Sequence, residues 1–323
     1  MIVSNMAGIS MRSSIRSEAK KILGLIKKHD RGQILIHTSP DGDAVASAIG
    51  LFRVLRRITG RYYHLFCPKK IPERYRFLPH CQRFSTRPKI TDLSIILDTA
   101  DLSRLPGWKP SGLIINVDHH DSNTNFGAVN IVETRSSSTV EILMELFKYW
   151  RIGIDETTAR VLYAGIFSET GGFVFRNTNA KTLSHASILA DLGASPSDLG
   201  QSLMRQTTNR LHLLGLVLTG IEVDNGISII RVTRRMFKQT KTTVDETEGF
   251  VEIPLMIPEV KISILVKELP NGKTKVSLRS KGRIDVNRIA HHFGGGGHRN
   301  AAGFIMDDTI PSVLQKIIAR LRS

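Results

Sequence analysis

The sequence predicts an α/β protein: a parallel-sheet N-terminal domain with helices on both faces, followed by a smaller α+β C-terminal domain. Two observations carry this expectation. In the first half, short continuous apolar runs alternate with helical patterns, as strands buried on both faces do. Further on, the polar stretch KQTKTTVDETEG (238–249) separates that half from a segment with hairpin signals, so the expected domains are 1–237 and 250–323, joined by a linker at 238–249.

Taken in order, QILIHTS (33–39) is a short apolar run ending in a polar turn and reads as a buried strand. Residues 44–57 carry apolar side chains at helical spacing. YYHLFC, LSIILDT (93–99) and GLIINVDHH (112–120) are three further strands, the last two ending in acidic residues. From residue 137 the pattern turns helical, with stripes near a 3.6 period at 140–149, 156–167, 180–192 and 198–221. ISIIRVT (227–233) is another strand. VKISILVKEL and KTKVSLRS flank Asn271-Gly272 and predict a β-hairpin. Short helices are expected at 285–292 and 312–321. The apolar stretch 250–260 has no clear period.

The chain has 323 residues, 41% hydrophobic and 23% charged, a balance that excludes disorder as the main state. Lys+Arg exceed Asp+Glu by 16, which points to an anionic partner or to a basic surface that only confers solubility. Cys67 and Cys81 are too few for a disulfide scaffold and lack CxxC spacing, so reduced thiols in a cytoplasmic protein are expected. No segment reaches the roughly 20 apolar residues of a membrane span, and the N-terminus lacks the apolar core of a signal peptide.

Three strand ends carry carboxylates and imidazoles. His37, Asp41 and Asp43 lie in HTSPDGD, Asp98 ends the next strand, and Asp118, His119 and His120 end another. In parallel sheets ligands bind outside the carboxyl ends of the strands. Carboxylates gathered there repel one another and are costly to desolvate, a problem that divalent cations solve. Carboxylate mixed with imidazole, without thiolate, favours a manganese-like or magnesium-like ion over structural zinc. Each residue alone has a plainer reading: Asp43 as a helix cap, Asp101 as a turn residue. The conjunction favours metal.

HTSPDGDAVASAIGL, LDTAD, VDHHDSNTNFG and the distant GGGGHRNAAGF resemble the DHH phosphoesterases with a DHH-associated C-terminal domain. The layout is most similar to the nanoRNase / 3′-phosphoadenosine-5′-phosphate (pAp) phosphatase branch. The resemblance implies two divalent ions, manganese first, with magnesium or cobalt as alternatives. His37, Asp41 and Asp98 would hold one ion; Asp43, Asp98 and His119 the other. His120 would face the phosphate and Asp118 would support the site, so His120, Asp98 and Asp118 are the expected catalytic residues. The family's later acidic ligand falls in GIFSETGGFVFRNT, where Glu169 stands in place of the usual Asp. A ligand role and a plain helix-terminal carboxylate are both open for Glu169.

Consecutive glycines let backbone N–H groups approach an anion. Gly295, Gly296 and Gly297, with His298, Arg299 and the hairpin's Arg279, form the expected grip on a phosphorylated substrate, a role the resemblance also implies; a flexible loop is the plainer reading. His291 and His292 read as helix-face residues. Arg135 with Ser136, Ser137 and Ser138 precedes a helix and suits either a phosphate or an ordinary N-cap.

The expected function is metal-dependent hydrolysis of phosphodiester or phosphomonoester bonds in short oligoribonucleotides, extending to pAp. The alternatives are a cyclic or linear dinucleotide (cyclic-di-AMP or pApA) phosphodiesterase and, in another class, a catalytically impaired nucleotide- or RNA-binding protein. The expected partners are short RNA or a small nucleotide and no membrane. A homodimer is allowed by the sequence, which does not fix the oligomeric state.

Overall fold

The computed structural model describes residues 13–109 and 111–322. The chain divides into two compact units, the first ending at Arg205 and the second beginning at Gln206. That division lies well before the polar stretch expected to be the linker.

The first unit contains α1 (Ser13–Lys28), β1 (Gly32–Leu35), α2 (Gly42–Thr59), β2 (His64–Phe66), β3 (Leu93–Leu97), β4 (Leu113–Asp118), β5 (Val129–Val132), α3 (Thr139–Tyr149), α4 (Glu156–Glu169), α5 (Ala180–Asp191) and α6 (Pro196–Met204). Its five strands form a fully parallel sheet in the order β2-β1-β3-β4-β5. The apolar runs become β1 and β3, buried along their whole length. β5 has only four residues and is half exposed, which is why no apolar run announces it.

Ile34, Ile95, Ile115 and Val129 pack with helical residues such as Ile49, Leu143 and Leu162 in the main core. The alternate side chains Leu35 and Ile96 join Phe66, Leu105 and Trp108 in a separate cluster. That cluster contains no α-helical residue among those described; the 3₁₀ turn Leu102–Arg104 closes it.

The helix layer is drawn tight by small residues. A Cβ on Gly42 would meet Ser168, and one on Gly50 would lie 2.5 Å from Leu162 Cδ2. A Cβ on Gly165 would lie 2.6 Å from Val140 Cγ2 and 2.7 Å from Ala46 Cβ. Gly42, Ala46 and Gly50 repeat every four residues, so they form one stripe on α2 facing α4.

The second unit contains α7 (Thr208–Thr219), β6 (Glu222–Asp224), β7 (Ile227–Val232), α8 (Arg234–Thr240), β8 (Ile262–Glu268), β9 (Thr274–Ser280), α9 (Val286–His292), β10 (Gly296–His298), β11 (Ala301–Met306) and α10 (Ile310–Arg322). Its sheet runs β10-β11-β9-β8-β7-β6, antiparallel except for the β7–β8 pair. α9 and α10 pack on one set of strand side chains, including Ile264, Val276 and Phe304. α7, α8 and the 3₁₀ segment Phe250–Met256 pack on Ile230, Val232 and Leu265.

Three local expectations change. The single helix expected at 198–221 is two, α6 and α7, with the unit division between them and Thr207 capping the second. The stretch expected to be a linker belongs to the second unit: it completes α8 and forms the 3₁₀ turn Val244–Thr247. Three of its four threonines, Thr240, Thr242 and Thr247, are buried because they satisfy themselves locally. Thr240 donates to Met236 O at 2.8 Å and Thr247 to Val244 O at 2.7 Å. The glycine run is not a free loop; Gly296–His298 is a strand paired to Ala301–Gly303. A Cβ on Gly295 would lie 2.2 Å from Gly303 O, so close backbone approach requires glycine there.

Replacing Gly165 by Val is expected to destabilise the protein by about 1–3 kcal/mol through overpacking between α2, α3 and α4, measured by denaturant titration. A second prediction concerns Lys267, which is buried and donates to Thr247 Oγ1 at 2.8 Å. Burial, with Lys275 nearby, pushes its ammonium down to about 8 from the ordinary 10.5. Between those values the unfolded chain holds a proton that the folded chain has released, so stability rises with pH across that window. A Lys267→Met variant is expected to lack this rise relative to wild type in paired melting curves from pH 7 to 11.

Candidate metal centre

The residues that follow β1, β3 and β4 converge at the carboxyl edge of the first sheet. Asp41 caps α2: Oδ1 accepts the Ala44 amide at 3.0 Å, and Oδ2 lies 3.6 Å from His37 Nε2. Asp43 is not the cap. It sits wholly buried in the first turn of α2 and accepts the Thr139 and Val140 amides at 2.6 and 3.0 Å. Those are the first amides of α3, so its positive N-terminal end holds a carboxylate of the protein itself. Ser138 is the ordinary N-cap, accepting from Glu141 N at 3.2 Å, and the phosphate reading of residues 135–138 falls away.

Asp98 is the hub. Its backbone φ of 52° lies in the left-handed region, at a cost of about 1–2 kcal/mol for a residue with a Cβ. Oδ2 lies 3.4 Å from His37 Nε2; Oδ1 lies 3.4 Å from His119 Nε2 and 3.7 Å from His120 Nδ1. Thr139 Oγ1 also donates to Oδ1, at 3.1 Å. Asp118 is fully buried, 2.6 Å from His120 Nδ1 through one oxygen and bonded to Asn123 Nδ2 at 2.6 Å through the other. It orients His120. Asp101 caps a 3₁₀ turn, as a turn residue should.

Glu169 ends α4 with Oε1 3.9 Å from His119 Nε2. Asn177 secures the turn that follows, donating to Ser137 O and Glu169 O, each at 3.1 Å. Thr139 and Asn123 escaped the sequence reading, and only their nearness in sequence to SSS and DHH could have signalled them.

Two sets of donor atoms lie within 4.8 Å of one another: His37, Asp41 and Asp98, and Asp98, His119 and His120. The second set differs from the expected one, which had Asp43 beside His119. Asp43 stands 3.9 Å from His119 and already receives two amides. The donors suit a divalent cation: His37 Nε2 is buried without a hydrogen-bond partner, and imidazole with carboxylate is the hard-to-borderline set such ions take.

The electrostatics show what the cluster lacks. Burial opposes charge on His37, but Asp41 and Asp98 override it and raise the imidazole to about 9. Burial likewise opposes charge on His119, and Asp98 outweighs it, holding that ring well above its ordinary range. Burial acts against the Asp98 carboxylate too, yet His119 and His37 hold it well below the usual range. Burial and neighbouring carboxylates push Asp43 and Glu169 well above it. Without a cation, protons supply the missing positive charge.

In the second unit, Arg279 on β9 pairs in register with Ala301, which pairs with His298 on β10. The His298 side chain lies outside the described residues. Arg279 Nε donates to Glu252 Oε1 at 2.7 Å, and Arg299 is tied to Arg283 O at 2.8 Å. Both guanidinium groups are engaged within the unit. The amides of Gly294 and Gly295 are taken by α9 carbonyls.

Residues 33–166 match the model of the DHH family, N-terminal domain, and residues 227–323 that of the DHHA1 domain, together well over half of the chain. The chain belongs to the DHH family. Its DHHA1 match also begins before the stretch once expected to be a linker. The chain is 29% identical over 292 residues to the bifunctional oligoribonuclease and PAP phosphatase NrnA of Thermus thermophilus, covering 88% of each protein. It is 29% identical over 275 residues to the protein of the same name from Bacillus subtilis, covering 83% of this chain and 86% of that one. Among solved structures, an exopolyphosphatase-related protein from Bacteroides fragilis superposes with a TM-score of 0.87 at 27% identity, covering 94% of this chain and 95% of that one.

Thr139→Val removes the hydroxyl that orients Asp98 while keeping the backbone amide to Asp43. It is expected to weaken binding of a divalent cation about 10–100-fold, measured by calorimetric titration with manganese, with little change in melting temperature.

Proposed function

We propose that this protein is a two-metal phosphohydrolase of short oligoribonucleotides that also removes the 3′-phosphate of pAp. The single observation that carries the reading is Asp98, whose two oxygens face separate imidazole groups, His37 on one side and His119 with His120 on the other. The likeness to relatives named for both activities supports the substrate class.

His37, Asp41 and Asp98 would hold one cation, manganese by preference, and Asp98 with His119 the other. Glu169 and Asp43 would lend charge to the second position. Bound there, two divalent ions supply positive charge to a phosphoryl oxygen and a water acidic enough to attack at neutral pH. The side chains do the rest. Asp118 fixes the His120 ring, which suits His120 to give a proton to the leaving oxygen. Thr139 and the α3 amides hold Asp98 and Asp43 in place, so little reorganisation is needed on reaction. In the second unit, Arg279, His298, Arg299 and the glycines Gly295, Gly296 and Gly297 would bind a phosphate group of the substrate. A phosphate there must compete with Glu252 for Arg279. Both cysteines are buried, and burial pushes their thiols up to about 11, which suits a reducing, cytoplasmic setting.

The test is manganese-dependent hydrolysis of pApA, a five-nucleotide RNA, pAp, cyclic-di-AMP and pyrophosphate. Turnover of the short RNAs and of pAp is expected, falling to background in Asp98→Ala. Folded protein that turns over no member of the panel under manganese, magnesium or cobalt would refute the reading. Preference for cyclic-di-AMP would move it to the dinucleotide branch.

A further inference from the structure

The surplus of positive charge is not spread evenly over the chain. Residues 51–90 contain eleven Lys and Arg and one acidic residue, Glu73, a net +10 of the overall +16. Structural ion pairs absorb some of these cations: Arg53 with Asp155, Arg61 with Asp30 and Arg76 with Glu73. Among the described residues Arg56, Arg83 and Lys89 pair with no carboxylate, and all three are exposed.

These three surround an aromatic site. Tyr62 is 58% exposed, with the Arg56 guanidinium 4.4 Å and that of Arg83 5.8 Å from its ring centroid. Phe52 packs against Tyr62 from within, at 6.4 Å between centroids. Phe52, Tyr62, Tyr63, His64, Arg83 and Lys89 line a concavity of about 190 Å³ that contains no acidic side chain. The site is at the start of β2, the outermost strand, and the segment from Ser85 runs along that strand's outer edge. The candidate metal centre follows the carboxyl ends of β1, β3 and β4. β2 runs parallel to β1, so the two sites occupy opposite ends of the sheet.

We infer that this edge is an accessory site for single-stranded RNA, with Tyr62 stacking a base and Arg56, Arg83 and Lys89 contacting the flanking phosphates. Aromatic rings interleaved with guanidinium groups are how sequence-tolerant single-strand sites bind: a π face for the base, cations for the backbone. A lipid surface would share the charge complementarity. Here, however, a single exposed ring is interleaved with guanidinium groups at a concavity, an arrangement that offers a planar base a π face with cations beside it and offers a bilayer little apolar surface. The site needs no metal and does not depend on the proposed hydrolysis. It would hold the body of a strand longer than the metal centre itself takes.

The test is fluorescence anisotropy of the full chain with a labelled twelve-nucleotide 2′-O-methyl oligouridine, which resists cleavage, at several salt concentrations. Arg83→Glu/Lys89→Glu is expected to weaken binding by about tenfold or more and to reduce the slope of log K against log salt by about two. Tyr62→Leu is expected to weaken binding roughly fivefold or more while leaving the slope unchanged. Hydrolysis of pApA by both variants should match wild type. Arg56→Glu, on the exposed face of α2, serves as an independent variant should the double one fail to fold. Unchanged strand affinity and salt slope in the charge-reversal variants would overturn the inference. So would wild-type binding to phosphatidylglycerol vesicles, lost in those variants, without binding to the strand.

Discussion

The Asp98 carboxylate sits between two groups of imidazoles in a site that solvent barely reaches, and most of the first unit exists to keep it there. Asp98, Asp43 and Asp118 are fully or almost fully buried, and Asp41 and Glu169 stand beside them. Charges so close are costly unless each finds a donor. The four aspartates do: Asp43 takes the first amides of α3, Asp41 an amide of α2, Asp118 the ring of His120 and the amide of Asn123. Asp98 takes the Thr139 hydroxyl and lies against the imidazoles. What the donors leave unbalanced is net negative charge, and that imbalance gives the edge its chemistry. The strained backbone at Asp98 fits the same account, since strain survives where the surroundings over-determine a geometry.

The helix layer answers to this edge. α2 carries Asp41 and Asp43 at its start, and α4 ends in Glu169. The two helices can bring these ends together because Gly42, Gly50 and Gly165 let their backbones approach closely. A larger side chain in that stripe would shift whole helices, and with them carboxylates whose spacing matters at the scale of tenths of an ångström. The glycines are therefore as much part of the site as the ligands are, although none offers a donor atom.

Charge is segregated within the first unit. The carboxylates gather at the carboxyl ends of the strands, whereas Arg56, Arg83 and Lys89 gather around Tyr62 at the start of the outermost strand. A polyanion approaching this unit meets attraction at one end and, unless cations are bound, repulsion at the other. The second unit stands on its own sheet and has its own arginine, Arg279, held by Glu252.

Much of this was legible in the chain itself. Strands buried on both faces write themselves as continuous apolar runs, so β1, β3 and β4 could be read, and with them the polar residues at their ends. The Asn271-Gly272 turn announced its hairpin because few other residues accept the backbone it needs. Elements held by neighbours rather than by their own pattern were not legible. β5 is short and half exposed, and β10 is a glycine run that becomes a strand only because β11 lies beside it. The polar stretch 238–249 looked like a linker because burial of its threonines depends on local hydrogen bonds that composition does not show. By itself the sequence determined which residues supply carboxylate and imidazole, since strand ends in a parallel sheet must share an edge. Only the tertiary structure decided that Asp41 and not Asp43 caps α2, that α3 spends its N-terminus on Asp43, and that Asp98 faces both imidazole groups. Those outcomes depend on which helix end meets which carboxylate, and packing between elements distant in sequence sets that.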